Sequence, residues 1–355
     1  MDEERLYQIA LSHLFRWQLR KEHQLLEQYG SASEVWKHID VDKMTEALQL
    51  AEQEITFIEK HGIQTFFYKD DNYPTRLKQC VDAPVLLFGK GNLHFNEGKM
   101  VAVVGTRMAS DRGKETTRQL VHELGNIVPD VTVISGLAYG IDVAAHRAAL
   151  EAGLPTIIVP AHGLDRIYPN LHRNVAIQAL DKGGILTEYH SGVEPEKMNF
   201  VARNRIIAGL ADAVVVVESK LKGGSLITAG MAQDYNREVF TFPGRPTDDL
   251  SQGCNYLIRN NKAHLIENGY DLAVAMRWET QSQPVQLEIA GDTTPLSPNQ
   301  QDLLDRIGQE EDGIHVNALV METQRPYPEV VADLMEMVIN GIIKDLPGGI
   351  YKAIK

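Results

Sequence analysis

The sequence predicts an α/β protein whose largest part is an extended Rossmann-like fold with a mostly parallel sheet. Two observations favour this fold class. Short apolar runs rich in Val and Ile recur at 101–104, 131–134, 156–159, 185–187, 213–217 and 239–242. Segments with the helical spacing of apolar residues lie between them, at 141–151, 171–181, 199–210 and 226–236. Continuous apolar strands that alternate with helices indicate a parallel sheet covered on both faces.

The other segments predict two smaller modules and a linker. Residues 1–60 have helical spacing and predict a small helical module of the SAM or helix-hairpin-helix type. The glycine expected in a DNA-binding hairpin is absent from 14–19, which favours a packing role. The Rossmann-like domain then covers 61–280, and 281–298, rich in Gln, Thr, Pro and Ser, is predicted to be a linker.

Residues 299–355 are predicted to form a winged-helix-like module. Two helices are expected near 300–307 and 328–340, and the residues from 342 to 351 have the pattern of a hairpin. The module is acidic, because residues 297–355 contain five Lys and Arg against ten Asp and Glu. Phosphate would be repelled there, so we expect this module to bind protein or simply to pack.

Composition narrows the classes of function. The chain of 355 residues has only two cysteines, Cys80 and Cys254, far apart and away from any Cys or His at metal-ligand spacing. This argues against a disulfide scaffold or a zinc site, and we expect no metal. Neither a signal-peptide pattern nor an apolar run of the roughly 20 residues that span a bilayer is visible. We therefore expect a cytoplasmic protein with no membrane insertion.

The distribution of charge points to the centre of the chain. The formal net charge of −13 argues at first against a nucleic-acid partner. Basic and acidic residues nearly balance within 99–262, however, so most of the negative charge lies outside this region. A polyanionic partner is therefore expected at residues 99–262.

The first strand of the predicted domain ends in Gly105-Thr106-Arg107, before a predicted helix over 111–124. Ligands of open α/β sheets bind at the carboxyl ends of strands, near the starts of the following helices. Free backbone N–H groups and the fixed charge of Arg107 predict a ligand that carries phosphate. The dinucleotide fingerprint and the P-loop sequence are both absent, so we expect no nucleotide cofactor.

Two further turns have similar features. The second strand ends in Ser135-Gly136, where the glycine either admits a ligand backbone or allows tight strand-to-helix packing. After the fifth strand, Lys220 and Lys222 lead into the Gly-Gly-Ser sequence of 223–225 at a helix start, with Thr228 one turn later. Such a start is either an anion site or a plain cap beside a basic loop. Three such turns at one sheet edge predict contacts with successive phosphates of one strand.

A basic stretch with one aromatic ring lies between the second and third turns. The sequence K-M-N-F-V-A-R-N-R at 197–205 holds three cations and Phe200. Single strands are held without sequence readout by Lys and Arg on phosphates and by aromatic rings on bases. The alternative is a solvated basic helix face with Phe200 in the core. Asp142 and His146, four apart on one helix, are either an acid/base pair or a helix-start carboxylate with a hydrogen-bonded neighbour.

Eight stretches of the chain carry recognisable motifs in a fixed order. They include V-A-V-V-G-T-R at 101–107, V-I-S-G-L-A-Y-G-I-D-V-A-A-H at 133–146 and G-L-D-R-I-Y-P at 163–169. F-V-A-R-N-R-I-I-A-G-L at 200–210 and G-G-S-L-I-T-A at 223–229 are further examples. D-D-N-Y-P-T-R-L at 70–77, G-G-I-L-T-E-Y at 183–189 and the run from 243 to 258 complete the set. Together these stretches resemble the DNA-processing protein A (DprA/Smf) family of bacterial transformation, and the resemblance covers most of residues 60–265.

The resemblance implies a protein that binds incoming single-stranded DNA, protects it, and loads the RecA recombinase onto it, and that forms a homodimer. The family's backbone-gripping arginine corresponds to Arg107, and its strand-contacting lysine and stacking phenylalanine to Lys197 and Phe200. Dimer contacts correspond to Ile258 and Leu265. The predicted single-strand site, with Arg173 as a further contact after the Tyr-Pro turn, comprises Gly105, Arg107, Ser135, Gly136, Arg173, Lys197, Phe200, Arg203, Arg205, Gly224, Ser225 and Thr228.

Two other classes of function compete with this non-enzymatic binder. One is a Rossmann-like nucleotide hydrolase of the lysine-decarboxylase-like phosphoribohydrolase type, which carries a catalytic glutamate after its glycine-rich loop. Here the comparable loop continues as Ala229-Gly230-Met231, without an acidic residue. The other is a regulator that binds duplex DNA through the winged helix, which the acidic helix at 328–340 disfavours. We expect no catalytic residues.

Overall fold

The computed structural model describes residues 3–16, 18–40, 42, 44–278, 296–310, 313–346 and 349–354. The chain divides into two compact units, Met1–Thr280 and Gln281–Lys355. The predicted linker over 281–298 lies mostly outside the described residues, and the four predicted segments stay a prediction. Among the described residues, no helix is both long and apolar enough to cross a membrane.

The first unit begins with four helices that share a core with the edge of its sheet. They are α1 (Glu3–Leu14), α2 (Leu19–Tyr29), α3 (Ala32–His38) and α4 (Met44–His61). Gly30, with a φ of +93°, ends α2, and the Ser31 side chain caps α3 by accepting from the Glu34 N–H. One apolar cluster joins these helices to the sheet edge through Ile9, Leu11, Phe15, Leu26, Ile58, Phe67, Val85 and Phe88.

Nine strands form one sheet in the described part of the first unit. They are β1 (Gln64–Phe67), β2 (Leu86–Gly91), β3 (Lys99–Val104), β4 (Val131–Ser135), β5 (Thr156–Ile158), β6 (Gly184–Thr187), β7 (Ala213–Val216), β8 (Glu238–Thr241) and β9 (His264–Leu265). Their order is β1-β2-β6-β5-β4-β3-β7-β8-β9. All neighbours in the stretch β6-β5-β4-β3-β7-β8-β9 pair in parallel. At the other edge, β2 pairs antiparallel with both β6 and β1. The predicted α/β class with a mostly parallel sheet is confirmed.

Helices cover both faces of this sheet. They are α5 (Thr75–Lys78), α6 (Asp111–Ile127), α7 (Ile141–Glu151), α8 (Arg173–Lys182), α9 (Lys197–Leu210), α10 (Gly224–Asp234), α11 (Gln252–Arg259) and α12 (Gly269–Met276). In β3, Val101 and Val103 pack on one face, and Met100, Ala102 and Val104 on the other. Because both faces are buried, the strand is apolar at every position from 100 to 104, as the sequence pattern indicates.

The chain reverses its direction across the sheet at β3. From β3 it proceeds through β4 and β5 on one side, and later returns to place β7 on the other side. The connections that follow β3 and β7 therefore leave the sheet in opposite directions and open a crevice at the carboxyl ends of these strands. Ligands of doubly wound sheets bind at such a switch point.

The second unit contains three helices and a small sheet in its described residues. They are α13 (Pro298–Gln309), β10 (Ile314–His315), α14 (Val316–Thr323), α15 (Tyr327–Ile339), β11 (Ile343–Leu346) and β12 (Ile350–Ala353). The strands pair antiparallel in the order β10-β12-β11. The two predicted helices are present, and α14 is a third that the sequence pattern did not indicate. The assignment to the winged-helix class stays a prediction.

Candidate nucleic-acid interface

A cleft of about 510 Å³ opens at the carboxyl ends of β3 and β7, and we call it the strand-end cleft. Four segments line it: the turn after β3, the start of α7, the first turns of α9, and the loop from β7 into α10. The polar and aromatic residues that line it include Gly105, Thr106, Arg107, Lys197, Phe200, Asn204, Lys220, Lys222, Gly224, Ser225 and Thr228. The structure thus brings together residues that are far apart in the sequence.

The turn after β3 is tied to the loop after β7. The Thr106 N–H donates to the carbonyl oxygen of Glu218 at 2.8 Å, and the Ser110 N–H donates to the Glu218 carboxylate at 2.9 Å. A Cβ at Gly105 would lie 2.4 Å from the Ile141 side chain and 3.0 Å from the Glu218 carbonyl oxygen. Only glycine fits at this position, and the two loops therefore approach closely. The Arg107 side chain is exposed and lines the cleft.

Phe200 lies half-buried in the cleft with a cation over its ring. The guanidinium carbon of Arg107 is 4.7 Å from the ring centroid, within the range of a cation–π contact. The ring of Tyr168 is 6.1 Å away, centroid to centroid. Lys197, one turn earlier on α9, is exposed. The alternative that Phe200 is a core residue therefore does not apply, and Tyr168 is an aromatic neighbour that sequence reasoning missed.

The glycine-rich start of α10 is open to the cleft. Gly223 caps this helix without a side-chain hydrogen bond, and a Cβ at Gly224 would meet nothing within 4 Å. Lys220 and Lys222 are exposed beside it. The Ser225 hydroxyl is already engaged, because it donates to the hydroxyl of Ser219 at 2.9 Å. The anion-binding capacity of this turn therefore rests on its backbone and the two lysines, with Thr228 buried beneath.

The turn after β4 is packed and does not offer an anion site. Ser135 is fully buried, and its hydroxyl donates to the Val103 carbonyl oxygen at 2.6 Å. A Cβ at Gly136 would lie 2.2 Å from the guanidinium of Arg203. The predicted strand contacts of Ser135 and Gly136 are therefore corrected: this glycine allows close packing, which is the alternative that the sequence left open.

Arg203 lines the strand-end cleft, but it is almost fully buried and bound to the protein's own backbone. It is 3% exposed, and its guanidinium donates to the carbonyl oxygens of Gly136, at 2.9 Å, and Val159. Burial lowers the pKa of Arg203 to about 10, so the group still carries its charge at neutral pH. Its predicted contact with the strand stays a prediction: Nη1 is bound to the protein's own backbone, and the guanidinium carbon lies 6.0 Å from the centroid of the Phe200 ring.

Arg205 is outside the strand-end cleft altogether. Its guanidinium forms a buried ion pair with the Glu188 carboxylate and donates to the Asp82 carbonyl oxygen at 2.6 Å. On α9 it lies two residues after Arg203, which is about half a turn of helix away. Its predicted contact with DNA is therefore corrected as well, because this charge is compensated inside the protein.

Three predicted residues lie away from the cleft. Arg173 is exposed at the start of α8 and does not line the cleft. Leu265 is 48% exposed on the edge strand β9, and Ile258 is half-buried on α11. The predicted roles of Ile258 and Leu265 in a dimer stay predictions.

The candidate acid/base pair is closed off from solvent. His146 is fully buried, and its Nδ1 lies 2.7 Å from the Thr156 hydroxyl. Burial lowers the pKa of His146 to about 3 and raises the pKa of Asp142 above its ordinary value. Asp142 borders the cleft, whereas His146 does not. Throughout the described residues, no group of three or more His, Cys, Asp or Glu is placed to hold a metal ion.

Residues 64–277, from β1 to the end of α12, match the family model described as DNA recombination-mediator protein A. The chain belongs to this family. Among other members of the DNA recombination-mediator protein A family, DNA processing protein DprA of Streptococcus pneumoniae is 44% identical over 208 residues, or 59% of this chain and 72% of the relative. Protein Smf of Escherichia coli is 37% identical over 291 residues, or 78% and 74% of the two chains.

Solved structures of the family have the same fold. That of DNA processing protein A from Streptococcus pneumoniae matches with a TM-score of 0.66 and 35% identity, and covers 78% of this chain and 98% of the other. A structure describing the single-stranded DNA binding mode of the Helicobacter pylori protein matches with a TM-score of 0.55 and 30% identity, over 61% and 96% of the chains. The residues matched by the family model include the whole strand-end cleft and exclude α1–α4 and the second unit.

Proposed function

We propose that this chain binds single-stranded DNA in the strand-end cleft, without catalysis, and so protects the strand and presents it to the RecA recombinase in natural transformation or recombination. The observation that carries the proposal is the Arg107–Phe200 pair, in which a cation and an aromatic ring share one open cleft. A strand needs both groups, because its phosphates are anions and its bases have flat apolar faces.

The charges around the pair favour a polymer over a small ligand. Arg107 and Lys197 line the cleft together with Lys220 and Lys222, which are on the loop after β7. These four cations can each neutralise one phosphate, and the open backbone at Gly224 can receive another anion. Phosphate contacts of this kind position a strand without reading its sequence.

The relatives support the same function. The Helicobacter pylori family member was solved to describe its single-stranded DNA binding mode, and the family is named for mediating DNA recombination. We propose a cytoplasmic homodimer in which Ile258 and Leu265 contribute contacts between copies, and in which the second unit is a winged-helix module. RecA is the proposed recombinase partner.

Salt dependence tests the phosphate contacts. If four phosphates are neutralised, the logarithm of the binding constant should fall against the logarithm of salt concentration with a slope of roughly −2.8 on single strands. Arg107→Ala should reduce the steepness of the slope by about 0.7, and it should weaken the binding of strands of every base sequence alike. Arg112→Ala, an exposed arginine on α6 outside the cleft, is the matched control and should change neither. A salt-independent affinity would refute the phosphate groove.

Removal of the aromatic ring tests base stacking. Phe200→Ala should weaken binding of a short oligonucleotide by roughly 1–3 kcal/mol, because one base loses its stacking surface. Phe200→Tyr keeps the ring and should retain most of the affinity. Fluorescence anisotropy of a labelled oligonucleotide measures the affinity of the wild type and of both variants. An unchanged affinity in folded Phe200→Ala would contradict the stacking role of Phe200. Steady nucleotide turnover that is lost on replacing Asp142 would favour the hydrolase alternative over single-strand binding.

A further inference from the structure

Two tyrosines are exposed on the loops that follow β4 and β5, and we call them the tyrosine edge. Tyr139 lies between β4 and α7, and Tyr168 lies between β5 and α8. Each residue is 46% exposed, although most of its side chain is an apolar ring. Neither lines the strand-end cleft, so the function proposed above leaves both without a role.

The order of the strands places the tyrosine edge beside the cleft. Strands β5, β4, β3 and β7 are neighbours in this order and pair in parallel, so their carboxyl ends share one edge of the sheet. The cleft lies at β3 and β7, and the tyrosines follow the two strands on the other side of β3. Neighbouring strands lie about 4.8 Å apart, so β5 is only roughly 10 Å from β3. A DNA strand that leaves the cleft toward β4 therefore meets the tyrosines within a few nucleotides.

Tyr168 joins the tyrosine edge to the aromatic ring of the cleft. Its ring lies 6.1 Å from that of Phe200, centroid to centroid, and the two planes are tilted by 57°. Its backbone is held in place, because its N–H donates to Nε2 of the buried His162 at 3.2 Å. The distance between the rings exceeds the roughly 3.4 Å between stacked bases of a duplex strand. The two rings therefore suit separate bases of an extended strand.

Tyr139 is positioned by contacts on both sides of its turn. Its ring makes a T-shaped contact with the buried His172, with 5.0 Å between the centroids. His172 is itself fixed, because its Nδ1 lies 2.9 Å from the Leu137 carbonyl oxygen. At the next residue, a Cβ on Gly140 would lie 2.2 Å from the Thr106 carbonyl oxygen. The turn that carries Tyr139 is therefore packed against the turn after β3, which carries the arginine of the cleft.

Apolar side chains and a cation are exposed around the tyrosine edge. Met108, Leu171 and Met198, on the loops after β3 and β5 and on the first turn of α9, are 75–77% exposed. Arg173 is exposed at the start of α8, two residues after Leu171. Exposed apolar groups that gather on one face mark a binding surface. Because this surface continues from a cleft with four exposed cations, a polyanion with apolar faces fits it better than a protein does.

We propose that the tyrosine edge is a second base-stacking subsite, on which the DNA strand continues after it leaves the strand-end cleft. One base stacks on Phe200, and neighbouring bases stack on Tyr168 and Tyr139. This subsite rests on the single-strand binding proposed above and adds a path to it. The strand runs from the loop after β7, across β3, toward β5. Because every base has a flat face, the subsite holds the strand without reading its sequence.

Lengthened oligonucleotides test the subsite in the full chain. A short strand that fills the strand-end cleft is extended at its 5′ or its 3′ end, with either ordinary or abasic nucleotides. Abasic nucleotides keep the phosphates and remove the stacking surfaces. At one of the two ends, the ordinary extension should bind the wild type about fivefold or more tightly than the abasic extension does, because at least one base stacks.

Variants of the two tyrosines assign this difference to the tyrosine edge. The double variant of Tyr139→Ala and Tyr168→Ala should lose the difference and bind the unextended strand as the wild type does. Both side chains are exposed, so the variant should fold. Tyr139→Phe with Tyr168→Phe keeps both rings and should retain the difference. Tyr270→Ala, at an exposed tyrosine on α12 that does not line the cleft, is the matched control and should behave as the wild type.

Three results would overturn the proposal. They are equal binding of ordinary and abasic extensions to the wild type, a difference that survives in the folded double variant, and an equal loss of affinity for unextended and extended strands. If any of these occurs while the unextended strand still binds and depends on Phe200, the tyrosine edge fails alone and the function proposed above stands. If the wild type binds no strand, both proposals fail.

Discussion

Replacing Arg203 with methionine separates a structural role from contact with DNA. The Arg203 side chain is buried and donates to the carbonyl oxygens of Gly136 and Val159. Methionine is similarly long and unbranched, but it removes both charge-assisted hydrogen bonds and leaves two buried acceptors without this donor. We expect Arg203→Met to lower the free energy of unfolding by about 3–5 kcal/mol.

Thermal unfolding measures this loss directly. In a unit of this size, a change of 1 kcal/mol shifts Tm by about 2–4 °C, so Tm should fall by roughly 10 °C. Binding to a short single strand is then measured well below the lowered Tm. Because the charge is buried, the salt dependence of binding should keep its wild-type slope. Arg112→Ala again serves as a surface control for stability.

The opposite pattern would refute this reasoning. A contact with phosphate predicts that Arg203→Met reduces the steepness of the salt slope by about 0.7, as expected for Arg107→Ala, with little change in Tm. An unchanged Tm would also mean that the hydrogen bonds from the guanidinium contribute little to folding. Only a lowered Tm with an unchanged slope agrees with the buried geometry.

Two further predictions concern buried carboxyl groups. Burial raises the pKa of Glu22 from 4.5 to about 8 on folding, so the stability it contributes is complete below about pH 4.5 and lost as pH rises to about 8. Urea titrations should show a loss of up to about 5 kcal/mol across this range that Glu22→Met lacks; equal pH dependence in both proteins would contradict it. Glu188→Gln leaves the buried Arg205 charge unpaired, and a urea titration at neutral pH should show a loss of about 3–5 kcal/mol. A change well below 1 kcal/mol would mean that water compensates this charge.

The parallel strands of the sheet could be predicted from the sequence because each is buried on both faces. Such strands need apolar residues at every position, as in Met100–Val104 of β3, and these runs stand out between helices. The strands at the two edges of the sheet were less visible. β1 has only four residues, and β9 is a two-residue strand that is exposed. The short α14 was missed for a similar reason, because eight residues give too few turns for a clear period.

The candidate site could be predicted only in part. A turn at a strand end and a ring in a basic stretch have recognisable positions in a sequence, so Arg107 and Phe200 could be assigned to one site, and the structure places both in the strand-end cleft. Arg203 and Arg205 look equally basic in the sequence, and their burial depends on partners distant along the chain. Arg203 meets Gly136 and Val159, and Arg205 meets Asp82 and Glu188. Local composition cannot indicate such distant partners. The sequence therefore predicts the same contact with DNA for the buried and the exposed cations of this helix.

The contact between Arg107 and Phe200 has a consequence for how their energies add. The guanidinium already covers part of the ring that a base would use, at 4.7 Å from its centroid. A base that stacks on this side must compete with the arginine, and a phosphate that attracts the arginine frees the ring. The effects of Arg107→Ala and Phe200→Ala are therefore not independent, because residues in contact share interaction energy. Only the double variant, measured beside both single ones, separates what charge contributes from what stacking contributes.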